Sequence, residues 1–122
     1  MDPNVTSIKQ RFDEVTNDHH YQLLANNTKV YGVWDDHDYG LDNGGKHMPY
    51  KHLMRDMYLD FVNEPHDSVR RTRKGGIYES YFLDPEKKIK MILLDNRWDL
   101  DELDKFDFVD LAKISLIMKR KP

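Results

Sequence analysis

The sequence predicts an α/β chain in the order helix, strand, loop, helix, β-hairpin, helix, and three observations carry that reading. Apolar residues at Val5, Ile8, Phe12 and Val15 follow the 3-4-3 spacing of one helical face. Three short runs, 29–34, 77–82 and 88–94, concentrate β-branched and aromatic residues between Asn, Gly, Asp and Pro punctuation. Between the first two runs, Leu53, Met54, Met57, Tyr58, Phe61 and Val62 recur at the helical period.

The first helix is expected over 5–25, with Asp2-Pro3 as its start and Asn26-Asn27 as its stop. His19 and His20 then fall near its C-terminal end, where imidazole suits the helix dipole. The strand 29–34 runs straight into Asp35. A loop dense in Asp and Gly follows over 35–46, after which Pro49 opens the second helix and Glu64-Pro65 closes it. The polar, basic loop 66–74 leads to Gly75-Gly76, and the strands 77–82 and 88–94 are joined through Asp84-Pro85-Glu86-Lys87 as a hairpin. Residues 98–113 mix acidic side chains with Phe106, Phe108, Val109 and Leu111 and are expected to be helical. Trp34, Trp98, Tyr78 and Tyr81 are expected as core and rim aromatics.

With 122 residues and a hydrophobic share of 39%, the chain suits one small domain spanning 1–122. Charged residues make up 34% while the net charge is only −3, so no overall field points to nucleic acid or an anionic membrane. The lack of cysteine removes disulfides, thiolate-bound zinc and a cysteine nucleophile. It leaves oxygen and imidazole as the metal ligands and favours hard or borderline cations. No apolar run approaches the roughly 20 residues that span a bilayer, and no targeting segment is legible, so the sequence names no compartment.

The position of the acidic residues is informative. Asp36 and Asp95 each sit just past the carboxyl end of a predicted strand, the edge at which open α/β sheets bind ligands. Asp35, Asp36, His37 and Asp38 repel or desolvate one another unless a cation joins them, and a divalent metal is the natural neutraliser. Gly40, Gly44 and Gly45 allow a tight loop, and Asp42 and Asn43 add oxygen donors to it. A calcium loop of the EF-hand type fails on spacing. Counting from Asp36 puts Leu41 where the obligatory Gly belongs and His47 where the bidentate Glu belongs. The plainer alternative is a solvated acidic turn.

The run Val30-Tyr31-Gly32-Val33-Trp34-Asp35-Asp36-His37-Asp38-Tyr39-Gly40-Leu41-Asp42-Asn43-Gly44-Gly45-Lys46 resembles the central signature of PhoD-like phosphatases, the alkaline phosphatase D family of metallophosphoesterases. Downstream, Arg70-Arg71 through Gly76-Ile77-Tyr78-Glu79-Ser80-Tyr81 resembles the segment before the next family strand. Ile92-Leu93-Leu94-Asp95-Asn96-Arg97 resembles the family's Leu-Asp-Thr-Arg ending, with Asn96 in place of Thr. The resemblance covers roughly 8–98, and 99–122 forms a divergent tail that lacks the family's Gln-Trp pair.

The resemblance implies part of an αββα metallophosphoesterase sandwich, two packed sheets flanked by helices with a metal cluster at the sheet edge. The implied function is metal-dependent hydrolysis of phosphate mono- or diesters by an activated water, with calcium, iron or manganese as the ion. Asp36 takes the metal-ligand place, with Asp35 and Asn43 beside it. His37 contacts the phosphate or its leaving oxygen, and Asp38 orients His37. These roles suit carboxylate and imidazole chemistry. The family also uses an earlier Gly-Asp segment and later Asp/His segments as ligands, and neither has a counterpart here. The chain is therefore expected to carry the middle of the site and to need the missing part of the domain as a partner. The rival expectations are a non-catalytic truncated remnant and a cation-binding interaction module.

Arg70, Arg71 and Arg97 are candidate phosphate receivers, since guanidinium groups grip phosphate oxygens in a bidentate fork. A solvated basic loop is the plainer reading of Arg70, Arg71, Arg73 and Lys74, and they are too few and too bare of aromatics for nucleic acid. Asp95 is either functional or half of a structural Asp-x-Arg ion pair with Arg97. His47 and His52 flank the signature loop, where solvated imidazole is the simplest reading.

Overall fold

A computed structural model describes residues 3–84, 86 and 88–101. Among them the chain is mixed α/β, with five helices and one two-stranded antiparallel sheet. The predicted helix 98–113 lies outside the described residues from 102 onward, while Trp98 itself stands in a turn.

The expected single helix 5–25 is two helices, α1 (Pro3–Thr16) and α2 (His19–Asn27). Asp18 causes the break. Its carboxylate accepts from the backbone N–H groups of His20 and Tyr21 at 2.9 and 3.0 Å, so it caps a new helix instead of continuing the old one. His19 and His20 therefore stand in the first turn of α2, at the opposite dipole end from the one expected. From α1, Val5 is buried and Ile8 and Phe12 pack on the core. Phe12 stacks on Phe61 at 4.7 Å between ring centroids and meets Tyr58 edge-on at 5.9 Å. Val15, the fourth member of the predicted face, is largely exposed.

Residues 29–34 form no strand with a partner among the described residues, contrary to expectation. The segment is held by side chains instead. Tyr31 packs on Tyr81 at 4.6 Å, and the Gly32 carbonyl accepts from Arg70 at 2.6 Å. Trp34 is fully buried, lying parallel to Trp98 at 6.2 Å and edge-on to Tyr39 at 4.9 Å. The short helix α3 (Asp36–Tyr39) follows at once.

α4 (Lys51–Phe61) starts two residues after Pro49, with Tyr50 in the left-handed region at φ 64°. It buries Met54, Tyr58 and Leu59, while Leu53 faces outward, so the buried stripe is rotated slightly from the predicted one. α5 (Val69–Thr72) is a single turn capped by Ser68, whose hydroxyl accepts from the Arg70 N–H.

The expected hairpin forms, its first strand two residues later than predicted: β1 (Glu79–Asp84) and β2 (Ile89–Leu93) pair from Glu79↔Leu93 to Asp84↔Ile89, with a bulge between Phe82 and Asp84. Its outward face carries Phe82, Ile92 and Leu94, which remain 64%, 63% and 73% exposed, so this sheet covers little of the core. The core sits where α1, α4, Trp34, Tyr39, Ile77 and Trp98 converge. No helix among the described residues is long and apolar enough to cross a membrane.

Candidate functional site

The acidic loop is built around Trp34 and Tyr39, both buried, which fix the two ends of the Asp35-Asp36-His37-Asp38 run. The Tyr39 hydroxyl donates to the Gly45 carbonyl at 3.2 Å and so ties the far side of the loop. Burial and the negative field of Asp95 push the Tyr39 phenol up to about 12.

Gly40 ends α3 at φ 135°, a conformation closed to L side chains, and a Cβ there would collide with the Met48 methyl. Asn43 follows at φ 56°, and the Gly44 N–H donates to Leu41 at 2.8 Å. This tight return folds Asp42 back over the start of α3. Asp36, His37 and Asp42 thereby offer ligand atoms that all lie within 4.8 Å of one another, a group that can hold one metal ion. The donor set of two carboxylates and one imidazole fits a hard or borderline divalent cation.

The Asp36 carboxylate is anchored on one side only. Its Oδ1 accepts from the Asn43 backbone N–H at 2.6 Å and lies 2.9 Å from Arg97 Nη1, whereas its Oδ2 faces His37 Nε2 at 3.9 Å. His37 is highly exposed, its side chain at 83%. Asp35 turns away from the trio. Its Oδ1 accepts from Arg97 Nε and Nη2 at 2.9 and 2.8 Å, and the Arg97 hydrogen bonds hold this exposed carboxyl below the usual carboxylate range.

Arg97 reaches this place because Asp95 shapes the turn before it. One Asp95 oxygen accepts from the backbone N–H groups of Arg97 and Trp98 at 2.9 and 3.0 Å, and the other accepts from the Ile77 N–H at 2.7 Å. Gly76 lets that carboxylate approach, since a Cβ there would collide with it. Of the two readings open for Asp95, a functional carboxylate or a partner of Arg97, the structure shows a structural role of another kind: three backbone hydrogen bonds through which it braces the end of β2.

The structure brings together Asp36, His37 and the backbone of Asn43, with Asp35 and Arg97 alongside. It does not bring in Asp38, which is exposed and makes no hydrogen bond or ion pair with His37 among the described residues, so the expected orienting contact does not form. Asn43, expected as a metal ligand, meets Asp36 through its backbone N–H, and it is Asp42 that joins the group that could hold an ion. The legible signal was a carboxylate placed six residues after Asp36 across a Gly-bounded turn. His47 is exposed and His52 packs edge-on to Trp98 at 5.0 Å, outside the trio.

Arg70 and Arg71 correct the phosphate expectation. Arg70 is completely buried and donates to Ile77 O at 2.8 Å, Glu64 Oε2 at 2.9 Å and Gly32 O at 2.6 Å. In this position it meets no solute. Arg71 donates to the Glu64 carbonyl at 2.7 Å and pairs with Asp60 at 2.9 Å, closing the end of α4. Arg73 is likewise engaged, with the Tyr78 carbonyl at 2.7 Å and Glu79 at 3.0 Å. Of the three arginines expected to receive phosphate, Arg97 alone lies beside the acidic loop.

A cleft of ≈ 320 Å³ between α2 and the end of α4, and another of ≈ 490 Å³ on the hairpin face, include no residue of 35–43. The acidic loop is an open surface. No protein family, no curated protein and no solved structure matches this chain.

Proposed function

We propose that this chain carries the central portion of a PhoD-like metal-dependent phosphoesterase site, in which Asp36, His37 and Asp42 hold a divalent cation and the loop presents a phosphate ester to it. The observation that supports this reading most is the convergence of Asp36, His37 and Asp42 within 4.8 Å inside the very run that resembles the family signature. When bound, such a cation supplies Lewis-acid chemistry, polarising a phosphoryl oxygen and making water nucleophilic near neutral pH.

The chain's own residues divide the remaining work. Asp36 presents Oδ2 while the Asn43 N–H holds Oδ1. The exposed imidazole of His37 stands beside Asp36, where it can serve either as the ion's third ligand or as the contact to a departing alkoxide. Arg97 is the guanidinium placed to contact a phosphate oxygen, and manganese or iron suits a nitrogen-containing ligand set better than calcium does. The exposed apolar face of the hairpin supports the addition of further sheet, as the αββα sandwich requires, with the rest of the domain as the covering partner.

The test is hydrolysis of a chromogenic phosphodiester and monoester by the purified chain with manganese, iron or calcium, beside Asp36→Asn and His37→Ala. Metal-dependent turnover lost in both variants is the expected result. Turnover that is insensitive to metal, or that survives both substitutions, overturns the assignment.

A further inference from the structure

One guanidinium stands between two carboxylates of the acidic loop, Asp36 and Asp35. The Arg97 side chain is only 15% exposed, and its nitrogens are shared between Asp36 Oδ1 at 2.9 Å and Asp35 Oδ1 at 2.8 Å. Asp36 is also partly sheltered, at 25%, whereas Asp35 is 71% exposed. Each charge of the Arg97–Asp36 pair is thus the other's counterion. A cation arriving alone at Asp36 meets a carboxylate already neutralised. A phosphate arriving alone at Arg97 meets a guanidinium already neutralised. When both arrive, the carboxylate faces the cation, the guanidinium faces the anion, and neither charge is stranded.

We propose that Arg97 is a shared counterion that couples the two ligands, so that the cation and the phosphate each tighten the other's binding. The inference rests on the phosphoesterase reading and deepens it, assigning Arg97 as the counterion of Asp36 in the free chain that becomes a phosphate contact once the cation has taken Asp36. Linkage requires the coupling to be reciprocal. It also separates Arg97 from a brace. A brace holds Asp36 in its binding geometry, so its removal weakens the cation. A competing counterion, once removed, leaves the cation's affinity equal or improved.

The experiment is calorimetric titration of manganese into the full chain with and without saturating inorganic phosphate, and of phosphate with and without manganese, for the wild type and Arg97→Gln. The wild type is expected to bind manganese about tenfold more tightly in the presence of phosphate, with the same factor in the reverse titration. In Arg97→Gln the manganese affinity without phosphate is expected to hold or rise, and the phosphate enhancement to shrink to what direct contact between phosphate and ion supplies. An enhancement as large in Arg97→Gln as in the wild type overturns the proposal. So does manganese binding in the wild type that phosphate leaves unchanged, which spares the metal reading. The failure of manganese to bind under any condition instead overturns the phosphoesterase reading and the inference with it. Should Arg97→Gln fail to fold, Asp35→Asn replaces it, since Asp35 is exposed and outside the ligand trio. Relieving Arg97 of this carboxylate is expected to tighten phosphate binding without metal on the order of fivefold. Unchanged phosphate affinity in Asp35→Asn overturns the proposal.

Discussion

Replacing Arg70 by alanine separates a structural cation from a ligand contact. The wild-type guanidinium is fully buried and satisfies three acceptors on three segments, namely the Gly32 carbonyl before the acidic loop, the Ile77 carbonyl before the hairpin and the Glu64 carboxylate after α4. Its loss strands the buried Ile77 carbonyl, the partly buried Gly32 carbonyl and a carboxylate whose side chain is 11% exposed. Breaking a buried pair from one side costs about 3–5 kcal/mol, against a total stability of roughly 5–15 kcal/mol for a small domain. For a domain of about 100 residues this lowers Tm by at least about 12 °C. The assay is thermal and urea unfolding followed by circular dichroism, with Arg71→Ala as comparison. Arg71 pairs with the exposed Asp60, so its loss is expected to cost only about 1 kcal/mol. A loss below about 1 kcal/mol for Arg70→Ala would refute the reasoning, since it would mean that the guanidinium is hydrated in solution and free for anions.

Gly40→Ala is expected to cost about 2 kcal/mol by urea unfolding and to weaken manganese binding, because φ 135° and the Met48 methyl both exclude a Cβ. Manganese at about 100 times its Kd is expected to stabilise the chain by about 2.7 kcal/mol in a thermal shift measurement, and Asp42→Asn should lose most of this gain while Asp38→Asn keeps it. Stability should fall as pH rises from 10 toward 12, since Tyr39 and Tyr58 hold their protons up to about 12 when folded but release them near 10 when unfolded. Phenolate absorbance should therefore appear together with unfolding. At the acid end, the Asp35–Arg97 contribution is present above the ordinary carboxylate value of 3.8 and is lost as pH falls through the lowered folded value. Asp35→Asn should flatten that part of the stability profile.

The elements legible in the sequence are those fixed by local chemistry. The hairpin that the sequence suggests forms, with its first strand shifted by two residues, and so does the helical repeat from Met54 to Val62. Asp18 was a local signal as well, but the apolar spacing that ends at Val15 suggested a helix running on across it to Ala25. Whether 29–34 becomes a strand depends on a partner that sequence periodicity does not supply, and here side chains of Arg70 and Tyr81 hold the segment instead. The adjacent Arg70 and Arg71 look alike in sequence, yet burial makes one a core ion and leaves the other at the end of a helix. In the site, Asp36 and His37 were legible from their run and from the resemblance it carries. The partition of Asp35 to Arg97 joins residues 62 positions apart, and it arises only because Asp95 caps the turn at Arg97.

The most direct test of the central claim is manganese titration of the chain followed through its histidine side-chain resonances. There are six histidines, and a cation held by Asp36, His37 and Asp42 is predicted to broaden His37 first, at well below one equivalent, while His19 and His20 in α2 stay sharp. Uniform broadening of all six, or broadening that begins at His47 or His52, would contradict the account.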